Sequence, residues 1–335
     1  SSLELVVTAV APVGAFWKGG VSGLWNAADS GGLFNWATDV TGASSTVTKP
    51  STPTALTFTA NGAGNLNTTL GEDFTVKSVS FNSTAGSVTI GASGSEKLTI
   101  NGSVINDSAN AQTFTAPVTF NGNQTIQLNG AGNVSFSGPV TFTGNQTNIA
   151  NAGTLALSGA VTNTTKLTVD GAANTTISGA VTGAGGLNKL GAGTLTLSGP
   201  YAATGFFQVN AGKAVLAGAV TPANDISIGE GTGTSGTLDI TTGGSVSMPS
   251  TWFFVGHNNG DGTLNITGNG TFSALRLWGG GAAYGDNGTG VINIDTAGTV
   301  TGTDGIMLGQ AWNGGTANGT LNLTNGTVTS GNELW

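Results

Sequence analysis

The 335-residue chain contains no cysteine and carries very little charge. The missing cysteines exclude disulfides, thiolate metal sites and cysteine nucleophiles. Charged residues make up 7% of the sequence, whereas ordinary globular domains have about 25%. The net charge is −8, and Arg276 is the only arginine. Neutralising a phosphate backbone requires clustered cations, so we expect no nucleic-acid binding.

Long apolar runs are also missing. No stretch reaches the roughly 18 consecutive apolar residues of a membrane-spanning helix, so we predict no direct membrane span in this chain. The first residues include Leu3, Leu5 and Val6, but they lack a basic segment and carry Glu4. This start is typical of a processed or trimmed chain rather than of an intact signal peptide.

Glycine is abundant, with 58 residues, and threonine, serine, asparagine and valine are frequent as well. Valine and threonine favour strands, while glycine, asparagine and serine favour turns. Hydrophobic residues account for 38% of the chain, which is enough to build a buried core rather than a disordered segment. The composition therefore predicts an all-β protein.

Short triplets of the form apolar–polar–apolar recur along the chain, with Asn-Gly, Ser-Gly or Thr-Gly corners between them. Because side chains in a strand alternate between two faces, both apolar residues of a triplet lie on one face. Examples include Val79-Ser80-Phe81, Val88-Thr89-Ile90, Leu98-Thr99-Ile100, Val118-Thr119-Phe120, Val140-Thr141-Phe142 and Leu195-Thr196-Leu197. Such short strands would suit either an antiparallel sandwich or a parallel β-helix.

The C-terminal third favours the β-helix, because three sets of residues recur in step at intervals of about 27 residues, the length of one coil. The first set is Leu238, Leu264, Ile292 and Leu321, each followed two residues later by Ile240, Ile266, Ile294 and Leu323. The second set is Val246, Phe272, Val300 and Val328. The third set is Val255-Gly256, Trp278-Gly279, Leu308-Gly309 and Trp335. We predict a right-handed parallel β-helix of about ten coils.

This pattern divides the chain into three segments. Residues 1–50 form an N-terminal cap segment, in which Trp17, Trp25 and Trp36 cover the open edge of the first coil. Residues 51–227 form a β-helix with an irregular repeat. Residues 228–335 form a more regular β-helix, in which Asp239, Asn265, Asn293 and Asn322 make one outward row.

Three stretches resemble repeats of bacterial autotransporter passengers. Residues 185–199, from Gly185-Gly186-Leu187-Asn188-Lys189 to Leu197-Ser198-Gly199, resemble the autotransporter-associated β-strand repeat, although Phe206-Phe207 replaces the small polar residues of its usual continuation. The segment from Ile228 onward resembles a second passenger repeat, and the head resembles the tryptophan-rich opening of such passengers. The resemblance implies an extracellular or outer-surface rod, although the sequence has no counterpart of the C-terminal translocator barrel.

Candidate catalytic residues are sparse. His257 is the only histidine, and its surroundings, His257-Asn258-Asn259-Gly260, indicate a solvated corner residue. Polysaccharide-cleaving β-helices need paired carboxylates or acid-bound calcium, whereas the acidic residues here are dispersed. Asp261 and Asp286 lie in glycine-rich loops that suit either calcium turns or ordinary Asp-Gly turns. We expect no catalytic site, no metal and no cofactor.

The C-terminal tryptophans are the candidate contact residues. Trp252, Trp278, Trp312 and Trp335 are available either for packing at corners or for binding sugars or a partner chain. We therefore expect a non-enzymatic, extracellular or cell-surface structural and adhesive rod, whose partners are further copies of itself or surface glycans and proteins. The alternatives are a self-assembling extracellular filament subunit and, less favoured, a polysaccharide-active β-helix enzyme.

The C-terminal residues suggest that the stack continues. Glu333-Leu334-Trp335 aligns with Arg276-Leu277-Trp278 and with Ile306-Met307-Leu308, and in earlier coils a glycine and a further coil follow. Solenoids need an atypical terminal cap, and no capping segment is evident here. We expect either a longer protein or another molecule that covers this end.

Overall fold

The computed structural model describes residues 10–284, 287–312 and 314–334, without the side chains of residues 282–284 and 312. Every regular element in these ranges is a β-strand, and the strands stack as a parallel β-helix of about 11 turns. The predicted all-β parallel β-helix is thus confirmed. In the described residues, no helix is long and apolar enough to cross a membrane.

The described residues contain short strands first and long ones towards the C-terminus. The first eleven strands are β1 (Gly14–Trp17), β2 (Trp36–Ala37), β3 (Ala55–Phe58), β4 (Asn67–Thr69), β5 (Phe74–Val76), β6 (Ser78–Phe81), β7 (Val88–Gly91), β8 (Leu98–Ile100), β9 (Val104–Asn106), β10 (Gln112–Phe114) and β11 (Val118–Phe120). The next eleven are β12 (Gln124–Leu128), β13 (Val134–Phe136), β14 (Val140–Phe142), β15 (Gln146–Ala150), β16 (Leu155–Leu157), β17 (Val161–Asn163), β18 (Lys166–Asp170), β19 (Thr175–Ile177), β20 (Val181–Thr182), β21 (Gly186–Lys189) and β22 (Thr194–Leu197). The last are β23 (Phe207–Val209), β24 (Ala211–Leu216), β25 (Ala219–Val220), β26 (Ile226–Glu230), β27 (Ser235–Ile240), β28 (Ser245–His257), β29 (Asp261–Gly268), β30 (Thr271–Tyr284), β31 (Thr289–Trp312), β32 (Asn318–Ser330) and β33 (Glu333–Leu334).

Most coils contribute one strand to each of three parallel sheets, and at Tyr201 isolated bridges take the place of a strand in the third. Sheet A contains β3, β6, β9, β12, β15, β18, β21, β23 and β26, and it continues into the second halves of β28 and β30. Sheet B contains β4, β7, β10, β13, β16, β19, β22, β24, β27 and β29. Sheet C contains β5, β8, β11, β14, β17 and β20. A spacing of about 4.8 Å per coil makes a stack about 50 Å long.

The coils are not of one length. Hydrogen bonds between equivalent positions join residues 26, 28 and 29 apart in the C-terminal coils, as the sequence repeat predicts. In the middle of the chain, equivalent positions lie only 19 to 22 residues apart. The expected coil of about 27 residues is therefore wrong for the middle, where tight corners of a few residues replace longer loops.

The register of the C-terminal coils agrees with the predicted rows. Leu238, Leu264, Ile292 and Leu321 are successive neighbours in sheet B, and the residues two positions later pair in the same way. The first three are fully buried, Leu321 is half-buried, and Leu323 is 52% exposed. The row Val246, Phe272, Val300 and Val328 is also in register.

The third predicted row is wrong by one residue at Trp278. Phe254 pairs with Trp278 and then with Met307, while Val255 pairs with Gly279 and then with Leu308. The corner glycines with positive φ are Gly256, Gly280 and Gly309, so Gly280, and not Gly279, is equivalent to the other two. Because side chains alternate, this shift moves Trp278 from the inner to the outer face of the sheet.

Two alignments were predicted for the last strand, and the structure agrees with one of them. Glu333 and Leu334 pair with Gly305 and Ile306, which in turn pair with Arg276 and Leu277. The alignment with Ile306-Met307-Leu308 is therefore wrong by one residue, for the same reason. Trp335 lies outside the described residues.

The interior is filled by the apolar residues of the triplets. Phenylalanine rings stack from coil to coil, as for Phe114 on Phe136, with ring centroids 4.5 Å apart, and for Phe58 on Phe81, at 5.4 Å. One continuous hydrophobic cluster runs from Ala15 to Ile306. The three segments predicted from the sequence therefore share a single core.

Several polar side chains also point into the core. Lys189 is 1% exposed, and its Nζ donates hydrogen bonds to the carbonyls of Leu190, Gly191 and Ala211. Burial lowers the pKa of Lys189 to about 8, against an opposing effect of Asp170. Tyr201 is also 1% exposed; its hydroxyl has no hydrogen-bond partner among the described residues, and burial raises its pKa.

The N-terminal tryptophans form the predicted cap. Trp17, Trp25 and Trp36 are fully buried, and Trp36 makes edge contacts with the other two at 5.0 and 5.2 Å. Their indole N–H groups donate to Gly64 O, Thr68 Oγ1 and Trp25 O, respectively. β1 adds to β3 in parallel and pairs with β2 antiparallel, so the cap covers the edge of the first coil.

Candidate functional site

The outer face of sheet A changes character along the stack. The outward positions of successive strands are polar at Asn188, Gln208 and Ser227, and they become apolar at Phe254, Trp278 and Met307. The change begins where two apolar residues adjoin, as in Phe253-Phe254. Because neighbours alternate between faces, Phe253 enters the core and Phe254 points outward.

Phe254, Trp278 and Met307 form a second hydrophobic cluster, separate from the core of the coil. Each is at most 6% exposed. At the margin of this cluster stands Trp252, whose ring lies 5.9 Å from Phe254 and 6.4 Å from Trp278. Trp252 is 41% exposed, so the buried aromatic cluster supports one ring that solvent reaches.

A groove of about 280 Å³ opens beside Trp252. It is lined by Phe206, Asp225, Ser227, Glu230, Trp252, Phe254 and His257. Phe206 is 54% exposed, so the groove has an accessible aromatic ring at each of two levels of the stack. We call it the aromatic groove.

The acidic side chains of the aromatic groove are held in place by hydrogen bonds. Glu230 Oε2 accepts hydrogen bonds from Gln208 Nε2, at 2.6 Å, and from Ser227 Oγ, at 2.5 Å. Asp225 Oδ1 accepts one from the backbone N–H of Trp252, at 2.8 Å. These bonds fix both carboxylates next to the exposed rings.

His257 belongs to the same groove. Its imidazole stacks on the ring of Phe254 with centroids 4.3 Å apart, and its Nδ1 lies 3.9 Å from Glu230 Oε1. The side chain is 15% exposed. The interpretation of His257 as a solvated corner residue is therefore incorrect, because the outward Phe254 provides an aromatic surface that covers the ring.

A second hollow of about 250 Å³ adjoins the aromatic groove, and Phe206 lines both. Asn188, Gln208 and Lys166 line this second hollow as well. The two hollows follow the outward positions of sheet A, and so they extend along the axis of the stack.

The candidate contact tryptophans have different positions. Trp252 lines the aromatic groove, while Trp278 is buried beneath it. Trp312 is the last residue of β31, where it pairs with Tyr284, and its side chain is not described. Trp335 lies outside the described residues.

Sequence reasoning did not identify Phe206, Phe254, Asp225 or Glu230 as site residues. The signal for the two phenylalanines is a local break in alternation. Phe206-Phe207 and the run Trp252-Phe253-Phe254-Val255 place more apolar residues together than one face of a strand accommodates. The acidic residues carry no comparable signal, because only the stacking of coils brings them beside the rings.

The structure describes only one of the two aspartates of the candidate calcium turns. Asp261 begins β29 with an exposed side chain, and Asp286 lies outside the described residues. In the part of the chain that the structure describes, no group of three or more His, Cys, Asp or Glu side chains is positioned to hold a metal ion.

A comparison of the chain with protein-family models, with curated proteins and with solved structures finds no match in any of the three.

Proposed function

We propose that this protein is a non-enzymatic, extracellular or cell-surface rod that acts as a structural and adhesive element. The aromatic groove is its adhesive contact. The observation that carries the proposal is the pair of exposed rings, Phe206 and Trp252, fixed on the outer face of a stacked sheet. Exposed aromatic side chains on a rigid support are the typical anchors of recognition surfaces.

The structural role is supported by the continuous core. Each coil buries its apolar residues against the next one, so the stack is stabilised by contacts between neighbouring coils along its length. A rod of this kind presents groups on its sides at a regular spacing of about 4.8 Å. Because this spacing repeats along the stack, the side of the rod can contact a partner over several coils.

The non-enzymatic role is proposed because the acidic residues are dispersed along the sequence, and in this proposal those of the groove orient a ligand. Glu230 and Asp225 both accept hydrogen bonds from neighbouring groups of the groove. His257 is stacked on Phe254. These contacts hold a fixed binding surface. The resemblance to autotransporter passengers supports an outer-surface location.

Binding of the fluorescently labelled chain to immobilised cell-surface polysaccharides and proteins tests the adhesive role. We expect Trp252→Ala and Phe206→Ala each to lower the bound amount at least tenfold. Thr141→Ala, an outward substitution in sheet C, is the matched control and should leave binding unchanged. Equal binding by all three variants and the parent chain would refute an adhesive role for the groove.

A self-assembling filament subunit is the second candidate, and sheet C favours it. Its outward positions are threonine in six successive strands: Thr75, Thr99, Thr119, Thr141, Thr162 and Thr182. Such an uncharged row offers little repulsion to a second copy that packs alongside it. Electron microscopy of the purified chain separates the candidates, because laterally joined filaments support assembly and isolated rods support adhesion.

A further inference from the structure

We infer that the aromatic groove binds a linear polysaccharide of neutral or amino sugars and discriminates against chains of uronic acids. This inference rests on the proposed adhesive function and names the chemical class of its ligand.

The two exposed rings have the spacing of a saccharide platform. Phe206 directly precedes Phe207, and Trp252 directly precedes Phe253. Phe207 and Phe253 both pair with Ile226, which lies in the coil between them. Phe206 and Trp252 are therefore two coils apart, about 10 Å along the axis, a distance that a disaccharide bridges. Pyranose rings present flat C–H faces, which pack on aromatic rings as other apolar surfaces do.

The polar groups around the rings are suited to hydroxyl and ammonium groups. Glu230 and Asp225 are acceptors, and the amide of Gln208 holds Glu230 in position. Asp225 uses Oδ1 to accept the Trp252 N–H, which leaves Oδ2 without a protein donor in the described part of the chain. Fixed carboxylates beside an aromatic ring are the groups that bind sugar hydroxyls, and they also attract a protonated amino sugar.

The charge of the aromatic groove sets the selectivity. Among the described lining residues the carboxylates are Asp225 and Glu230, the one basic side chain is His257, which faces Glu230, and there is no lysine or arginine. A uronic-acid chain would bring its own carboxylates close to these two, and like charges repel strongly where solvent is partly excluded. A neutral chain avoids this repulsion, and an amino-sugar chain turns it into attraction.

The adjoining hollow gives the ligand its direction. It continues from Phe206 past Asn188 to Lys166, so a chain that begins at Trp252 runs along the axis of the stack. Lys166 is the only lysine or arginine among the described residues that line the two hollows, and it lies at the end far from the carboxylates. The contact with the sugar rings therefore involves the aromatic and acidic end.

Isothermal titration of the whole chain with three hexasaccharides tests the inference: a chitosan hexamer, cellohexaose and hexagalacturonate, at about pH 6, where the amino sugar is largely protonated. Tryptophan fluorescence is recorded in parallel. We expect the first two to bind at least tenfold more tightly than the third. Trp252→Ala should weaken both at least tenfold, whereas Thr141→Ala, on the outer face of sheet C, should leave both unchanged.

Glu230→Gln supplies the charge test. It keeps an acceptor but removes the negative charge, so the preference for the chitosan hexamer over cellohexaose should fall at least threefold. Trp252→Phe retains an aromatic ring and should keep most of the affinity, which separates loss of the ring from loss of folding. Near-ultraviolet circular dichroism verifies the fold of each variant.

Each adverse result has a distinct meaning. Equal or tighter binding of hexagalacturonate that still depends on Trp252 overturns the ligand class and leaves the adhesive function standing. Binding to protein-coated surfaces through Trp252, with no binding of any hexasaccharide, overturns the ligand class in the same way. If Trp252→Ala and Phe206→Ala change neither saccharide binding nor surface binding, the inference and the proposed function both fail.

Discussion

The indole rings of Trp252 and Trp278 lie 6.4 Å apart, yet 41% of Trp252 is exposed and only 2% of Trp278. Both point outward from sheet A, but they are not equivalent positions, because Trp252 pairs with Arg276 and Trp278 pairs with Phe254. Trp278 belongs to the second hydrophobic cluster, with Phe254 and Met307, while Trp252 lies at the margin of that cluster. One tryptophan stabilises the groove, and the other exposes its ring to solvent.

Substitution of these two tryptophans should therefore give opposite phenotypes. Trp278→Ala removes a buried aromatic side chain, and we expect a loss of about 3–5 kcal/mol in the free energy of unfolding. Trp252→Ala should cost less than about 1 kcal/mol and abolish ligand-dependent changes in fluorescence. Urea denaturation followed by circular dichroism measures the first effect. Similar stability losses for the two variants would contradict the assignment.

The row of leucines and isoleucines in sheet B offers a matched pair. Leu264 is fully buried between neighbours on both sides, whereas Leu321 occupies the equivalent position in the last described coil and is half-buried. We expect Leu264→Ala to lower the free energy of unfolding by about 2–5 kcal/mol and Leu321→Ala by clearly less. Urea midpoints compare the two. An equal loss would show that Leu321 is fully packed in solution.

The outward row of sheet B forms a directional hydrogen-bond ladder. The amide of Asn265 donates to Asp239 at 2.7 Å, Asn293 donates to Asn265 at 2.8 Å, and Asn322 donates to Asn293 at 2.8 Å. Lys213 forms an ion pair with Asp239 at the start of the ladder. Every amide is therefore oriented by the carboxylate of Asp239.

Asn293→Asp should break this ladder in a pH-dependent way. The new carboxylate cannot donate to Asn265, and reversing the Asn265 amide would turn its oxygen towards Asp239. We expect a loss of about 1–3 kcal/mol at neutral pH. Because a protonated acid donates again, the pKa of the new side chain is raised in the folded state, and the loss should shrink as the pH falls through that pKa. Asn293→Ala is the control and should show a loss without this pH dependence.

Two buried titratable side chains predict a maximum of stability in the alkaline range. The pKa of Lys189 is about 8 in the folded protein, compared with 10.5 for a free side chain. Between these values the unfolded chain binds more protons, so stability should rise from about pH 8 to about pH 10, by on the order of 2–3 kcal/mol. The raised pKa of Tyr201 acts in the opposite sense, because above about pH 10 only the unfolded tyrosine ionises and stability falls.

Single variants separate the two contributions. Lys189→Met should remove the rise between about pH 8 and about pH 10. Tyr201→Phe should remove part of the later fall, and because no described residue is hydrogen-bonded to the hydroxyl it should cost less than about 1 kcal/mol at neutral pH. Thermal unfolding from about pH 7 to about pH 11 supplies the measurement. A rise that persists in Lys189→Met would show that other groups cause it.

The cap should be necessary for solubility. Removing residues 1–40 takes away Trp17, Trp25 and Trp36 and exposes Phe58 and Phe74, which pack against them. It also uncovers the edge of β3, to which β1 is paired. We expect aggregation or end-to-end association of the truncated chain, measured by light scattering. A monodisperse, stable truncated rod would show that the cap is dispensable.

The sequence was sufficient for the fold because the stack repeats one simple pattern. Triplets such as Val118-Thr119-Phe120 determine which face of a strand is buried, and the recurrence of Leu238 at Leu264 and Ile292 determines the register. The same logic failed at Trp278, since the run of three glycines that follows it offered more than one alignment. The strand pairing, Gly279 with Leu308 and Gly281 with Gln310, shows that Gly280 is equivalent to Gly309.

The candidate site was only partly predictable. Trp252 was recognisable as an unusual aromatic residue, but nothing in the sequence places Glu230 or Asp225 beside it. Asp225 precedes a strand of one coil, Trp252 lies in the next coil, and Phe206 lies in the coil before. The coils between these residues differ in length, so the sequence separation does not reveal which side chains lie next to one another on the outer face of the sheet.

Composition, alternation and the coil-length repeat thus determined that this chain forms a β-helix with a tryptophan cap, because three strand positions that recur in step can bury their apolar faces only by stacking one coil on the next. Only the tertiary structure decided where the groove lies. A groove on the outer face of a sheet depends on which coils become neighbours and on a one-residue register. These are fixed by backbone pairing across about 20 to 30 residues rather than by any local preference.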